Sequence, residues 1–156
     1  MVEEQIVGII PSVHGGMFGQ KAYNIIVLNN GLIIAQLTKK MMNEEIKKVS
    51  ESSKEQGDGI LKRMASTMTA GYKIHEKYFT MTAEQIRNET EGNVFITNES
   101  VKKIRIRMGH IHEDGRNQPN EIKIVWDTGK QKYTFNQINA KQAKDLLQQT
   151  LGTKVK

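Results

Sequence analysis

Between Ile6 and Leu37 the apolar side chains come in short runs, and the polar interruptions fall where a chain would turn. Residues 5–10 read as a strand that is apolar on both sides and is ended by Pro11. A glycine-rich loop over 12–20 follows, carrying Met17 and Phe18. Residues 22–28 and 32–37 are the next two strands. They are joined through Asn29-Asn30-Gly31, residue types that tolerate positive φ and so favour a tight hairpin. Alternation puts Tyr23, Ile25 and Val27 on one face and Ile26 and Leu28 on the other, so this strand is expected to be covered on both sides.

From 39 to 77 the period lengthens to that of a helix. Met42, Ile46, Val49 and Ser53 share one face; Gly57-Asp58-Gly59 breaks it, and Asp58 is suited to cap a second helix bearing Ile60, Leu61, Met64 and Met68. A stretch of this size cannot bury a core alone, so it reads as a helical insertion within one domain spanning 1–156. Thr82 and Gln85 have the spacing of a capping box, which opens a short helix through Ile86.

The alternating pattern then returns. A short strand covers 93–97. Over 101–108, Ile104, Ile106 and Met108 face one way and Lys103, Arg105 and Arg107 the other. A turn-rich loop over 113–120 leads to Ile122, Ile124 and Trp126, which alternate with Lys123 and Val125. After a turn at 127–130, Lys132 and Thr134 alternate with Tyr133 and Phe135, and Trp126 and Tyr133 are expected in the core by that periodicity. Ala143, Leu146, Leu147, Thr150 and Leu151 form the apolar stripe of a helix over 140–151, ended by Gly152. The expected fold is α+β: about seven antiparallel strands in a small barrel or strongly bent sheet, plugged by the last helix.

Composition narrows the chemistry. The 156 residues contain no cysteine, which excludes disulfides and zinc–thiolate sites. The start is acidic and lacks a signal-peptide apolar segment, and no apolar run reaches the length of a membrane span, so a cytoplasmic protein is the default expectation. The net charge of +6 is unevenly spread: 101–156 carry twelve basic and five acidic side chains, whereas 51–100 carry six and eight. The basic character therefore belongs to the last strands and helix. It suits an anionic partner, but equally a solvated sheet face whose lysines discourage edge pairing.

The segment 23–34, YNIIVLNNGLII, resembles the strand–turn–strand signature of the pleckstrin-homology-like (PH-like) superfold, in its small bacterial and archaeal GRAM-like branch. Asn93-Val94-Phe95-Ile96 with 100–106 is similar to that family's entry into its second sheet, and 122–151 to its final hairpin and helix, so the likeness covers about two-thirds of the chain. One position departs: the family's hairpin commonly has Arg or Lys where Gly31 stands. The resemblance implies a PH-like split barrel and a non-enzymatic binding module, many members of which bind anionic lipids and others peptides.

Candidate sites follow from residue type and spacing. Lys103, Arg105 and Arg107, joined by Lys123 and Lys132 if the strands pair as a meander, would form a basic face able to hold phosphate through charge-assisted hydrogen bonds. The resemblance makes the first loop a ligand lip, with Lys21 at its end and Met17 and Phe18 set to enter a membrane or partner; the plain alternative is Phe18 folded onto the core. His110-x-His112 puts two imidazoles on one strand face, but no third ligand is fixed by spacing, so no metal site is assigned. No nucleophile elbow or P-loop occurs, and no catalytic residue, cofactor or small-molecule substrate is indicated. The expected partner is an anionic membrane surface; the alternative is protein interaction or homo-oligomerisation through the helical insertion, with nucleic acid the least favoured.

Overall fold

The computed structural model describes residues 4–15, 21–41, 43–44, 74–111, 113–136 and 138–156. It is an α+β fold built on one open, antiparallel, seven-stranded sheet. The strands are β1 (Ile6–Gly15), β2 (Lys21–Leu28), β3 (Gly31–Leu37), β4 (Val94–Thr97), β5 (Val101–Arg107), β8 (Asn120–Trp126) and β9 (Gly129–Phe135). A small ladder pairs β6 (His110–Ile111) with β7 (Asn117–Gln118). The large sheet runs β4-β3-β2-β1-β9-β8-β5: two meanders joined where His14 of β1 pairs with Thr134 of β9. A 3₁₀ helix (Ile74–Thr80) and helix α1 (Ala83–Glu89) precede β4, and helix α2 (Ala140–Leu151) follows β9.

One sheet face holds the main core. Ile10, Val13, Ile25, Val27, Leu32, Ile34, Ile104, Ile122, Ile124, Tyr133 and Phe135 are buried there, and α2 closes it with Ala143, Leu147 and Leu151. Helix α2 spans the residues its periodicity predicts. It starts on a capping box, Asn139 with Gln142, and ends at Gly152 with φ 56°. Tyr23 stacks edge-on against Tyr133 at 5.5 Å, and Trp126 packs at the margin of this cluster.

The opposite face differs between the two halves. Over β1–β4, Ile9, Ile26, Leu28, Ile33 and Ala35 are covered by Tyr78 of the 3₁₀ helix and by Ala83 and Ile86 of α1. The expectation that β2 is buried on both sides therefore holds. The Thr82–Gln85 capping box forms, and α1 runs to Glu89 rather than stopping at Ile86.

Several boundaries move. Pro11 does not end β1, which continues to Gly15, so the loop expected over 12–20 begins later. The β1–β2 register shifts between Ile10 and Val13; a bulge is where proline, which lacks an N–H for the ladder, can sit. Ser12 takes φ 52° there, and its N–H donates to Asn24 Oδ1 at 2.9 Å, a side chain standing in for the lost ladder partner. The Asn29–Asn30 hairpin forms without positive φ. Gly31 is required for another reason: a Cβ there would lie 2.5 Å from Ile96 O and 2.9 Å from the Phe95 ring.

Met108 is not a core residue. It is 72% exposed because the β5–β8 hairpin outruns the core at that point. The pairs Arg107–Glu121 and His110–Gln118 keep one register, so β6–β7 is an arm of the same hairpin. The expected 113–120 loop is therefore partly strand. Pro119 interrupts the ladder there, and Asn120 Oδ1 accepts from Gly109 N–H at 2.8 Å. Residues 39–41 and 43–44 are helical; the apolar stripes expected of the insertion and the Asp58 cap lie outside the described residues.

Candidate functional site

Strand pairing decides which basic side chains meet. Arg105 pairs with Lys123, and Lys123 pairs with Lys132, so three cations occupy directly opposed positions across β5, β8 and β9. Lys103 and Arg107 lie on the same strand face two residues to either side of Arg105. Their neighbours Ile104, Ile122, Ile124 and Tyr133 are buried in the main core, which sends the cations to the outer wall. Lys103, Arg105, Arg107, Lys123 and Lys132 are all exposed. This is the continuation of the face that the 3₁₀ helix and α1 cover at the other end of the sheet.

Few acids answer this charge. Glu121 sits between Arg107 and Thr134, and its Oε1 is 3.9 Å from Lys132 Nζ. Lys103, Arg105, Arg107 and Lys123 form no ion pair with a described residue. Like charges directly opposed across strands destabilise a sheet. A wall of this kind therefore carries a standing repulsion that a phosphate or carboxylate partner would relieve.

Lys21 is not part of this wall. It pairs with Gly15, a position whose Cβ would run into the Tyr133 ring, so Lys21 belongs by parity to the core face at the rim of the sheet. There it lines an open cleft of about 460 Å³ with Tyr23, Gln36, Thr38, Lys39 and Asn43. Lys21, expected at the ligand lip of the first loop, thus stands on the other side of the sheet from the basic wall. Met17, Phe18 and His112 lie outside the described residues. Among the described residues, no group of three or more His, Asp or Glu side chains is arranged to hold a metal ion.

A second polar cluster lies between the sheet and its cover. Tyr78 Oη donates to Glu89 Oε1 at 2.8 Å, and Lys77 Nζ meets Glu89 Oε2 at 2.9 Å. Burial, then the hydrogen bond to Glu89 and its charge, push the Tyr78 hydroxyl far above the ordinary tyrosine range. The nearby Asn24 amide opposes this in part, although no well-formed hydrogen bond joins its Nδ2 to any described group. Tyr78 and Asn24 are both fully buried, and the cluster fastens the 3₁₀ helix and α1 to β2.

Compared with family models, curated proteins and solved structures, the chain matches none. Among the described residues, no helix is long and apolar enough to cross a membrane.

Proposed function

We propose that this chain is a non-enzymatic, PH-like binding module that associates with anionic surfaces through the outer wall of β5, β8 and β9. One observation carries the reading: Arg105, Lys123 and Lys132 stand in direct cross-strand register, flanked by Lys103 and Arg107 on the same exposed face. Three opposed like charges weaken a sheet that serves only to be solvated, whereas a surface of phosphate groups turns them into an asset. The strand order and the closing helix α2 support the PH-like part of the reading. The chain departs from that family at Gly31, where a basic side chain has no room against β4.

The test is co-sedimentation with phosphatidylcholine vesicles, with and without phosphatidylserine. Binding is expected only to the acidic vesicles and should fall steeply with salt, because each basic side chain near such a surface contributes roughly 1 kcal/mol. The double variant Arg105→Glu, Lys123→Glu should abolish it. Equal binding to both vesicle types, or to neither, overturns the proposal.

A further inference from the structure

Two lysines outside the expected set stand on the same wall. Lys130 pairs with Val125, which pairs with Lys103, so Lys130 closes a second row beside the Arg105 row. Lys156 arrives by a different route. After α2 the chain passes through a 3₁₀ turn (Gly152–Lys154), and Val155 buries itself in a parallel bridge with Ile104. Lys154 Nζ holds Asn98 O at 2.7 Å. Lys156 N–H then donates to Ile104 O at 2.8 Å, while Lys156 O accepts from Ile106 N–H at 2.9 Å. Those two bonds bracket Arg105, and in a parallel ladder the bracketed residue is the partner. The row therefore reads Lys156, Arg105, Lys123, Lys132, with Lys130 and Lys156 both exposed.

We infer that the segment after α2 works as a fourth strand of the contact face, and that Lys130 and Lys156 are lipid-contacting residues of a cationic patch fitted to an anionic bilayer. The inference rests on the proposed function and names its partner. From the spacing of strands the patch is about 14 Å across and of similar length along β5, wider than one phosphate group. Its exposed cations line neither the cleft at Lys21 nor the one between the start of β1 and α1. Among the described residues, no outward position of β5, β8 or β9 is aromatic, Tyr133 being buried in the core and Trp126 packed at its margin, so bases find no ring to stack on. A plane of many headgroups is the partner that engages every member at once.

Single neutralisations test this. Lys130→Gln and Lys156→Gln are each expected to lower partitioning onto phosphatidylserine-containing vesicles about five-fold. Lys141→Gln, on the exposed side of α2, should leave it nearly unchanged. Equal losses in all three variants would mean that net charge alone acts, and would overturn the inference, as would no loss at 130 and 156. Binding of a short single-stranded DNA as tight as that of the vesicles would overturn the bilayer as partner. A readout without ligand separates this inference from the proposed function. Relieving repulsion in the row, Lys156→Gln should raise Tm at low salt by about 1–2 °C, an effect lost in high salt, and Lys141→Gln should not. A raised Tm without vesicle binding by the unmutated protein would leave the row as drawn but sink the reading it serves.

Discussion

Arg105 on β5 and Lys123 on β8 stand directly opposite one another, and Lys132 on β9 takes the next position in line. The arrangement predicts effects of opposite sign on stability and binding. Lys123→Glu places an acid between two cations, so at low salt Tm should rise by up to about 3 °C. The same change should weaken association with acidic vesicles. Thermal melts across a salt series check the first effect, since screening should erase it. A lower Tm at low salt would mean that Lys123 is held by an interaction that the repulsion argument omits.

Gly31 makes a separate prediction. Its place in the β2–β3 hairpin suggests a conformational role, yet its φ is not positive. The constraint is space: a methyl group would meet Ile96 O at 2.5 Å and the Phe95 ring at 2.9 Å. Gly31→Ala should therefore cost about 1–3 kcal/mol by forcing β4 away from β3. Chemical denaturation measures it. If the glycine served only chain flexibility, alanine would instead stabilise.

Asn24 is predicted to matter more than its polarity suggests. It is fully buried, and its Oδ1 receives the Ser12 N–H that the bulge after Pro11 removes from the ladder. Asn24→Ala leaves that N–H buried without a partner, at a cost of about 1–3 kcal/mol. The urea midpoint of Asn24→Ala should fall accordingly, and an unchanged midpoint would mean that the Ser12 N–H finds another partner.

These positions also mark what sequence periodicity reveals. Helix α2 and strands β5, β8 and β9 were legible because their inward residues recur at one period and their outward ones are charged. The basic wall was legible for the same reason, and pairing then set Arg105, Lys123 and Lys132 in line. That Lys21 stands on the face opposite the wall was not legible, because position in a loop says nothing of sheet parity, which here depends on the pairing of Lys21 with Gly15. The passage of β1 through Pro11 was hidden because its compensation comes from Asn24, 12 positions beyond Ser12. Lys156 was missed because neither Val155 nor Lys156 alone signals a strand; only the open edge of β5 makes one of them.

Two buried phenols set the alkaline limit of stability. Burial, with a smaller effect of Tyr23, pushes the Tyr133 hydroxyl from its ordinary 10.0 up to about 12. Tyr78 is raised as well, by burial first and then by Glu89. A raised value means that the folded protein keeps a proton which the unfolded chain has lost. This contribution is whole below about pH 10 and fades as the pH climbs toward the folded value. Between about pH 10 and 12, Tyr133 alone should remove about 1.4 kcal/mol of stability per pH unit. Urea midpoints across that range should fall in the unmutated protein and fall less steeply in Tyr133→Phe, which has no proton to lose. Identical slopes in the two proteins would show that the Tyr133 hydroxyl ionises as readily in the folded state as in the unfolded one.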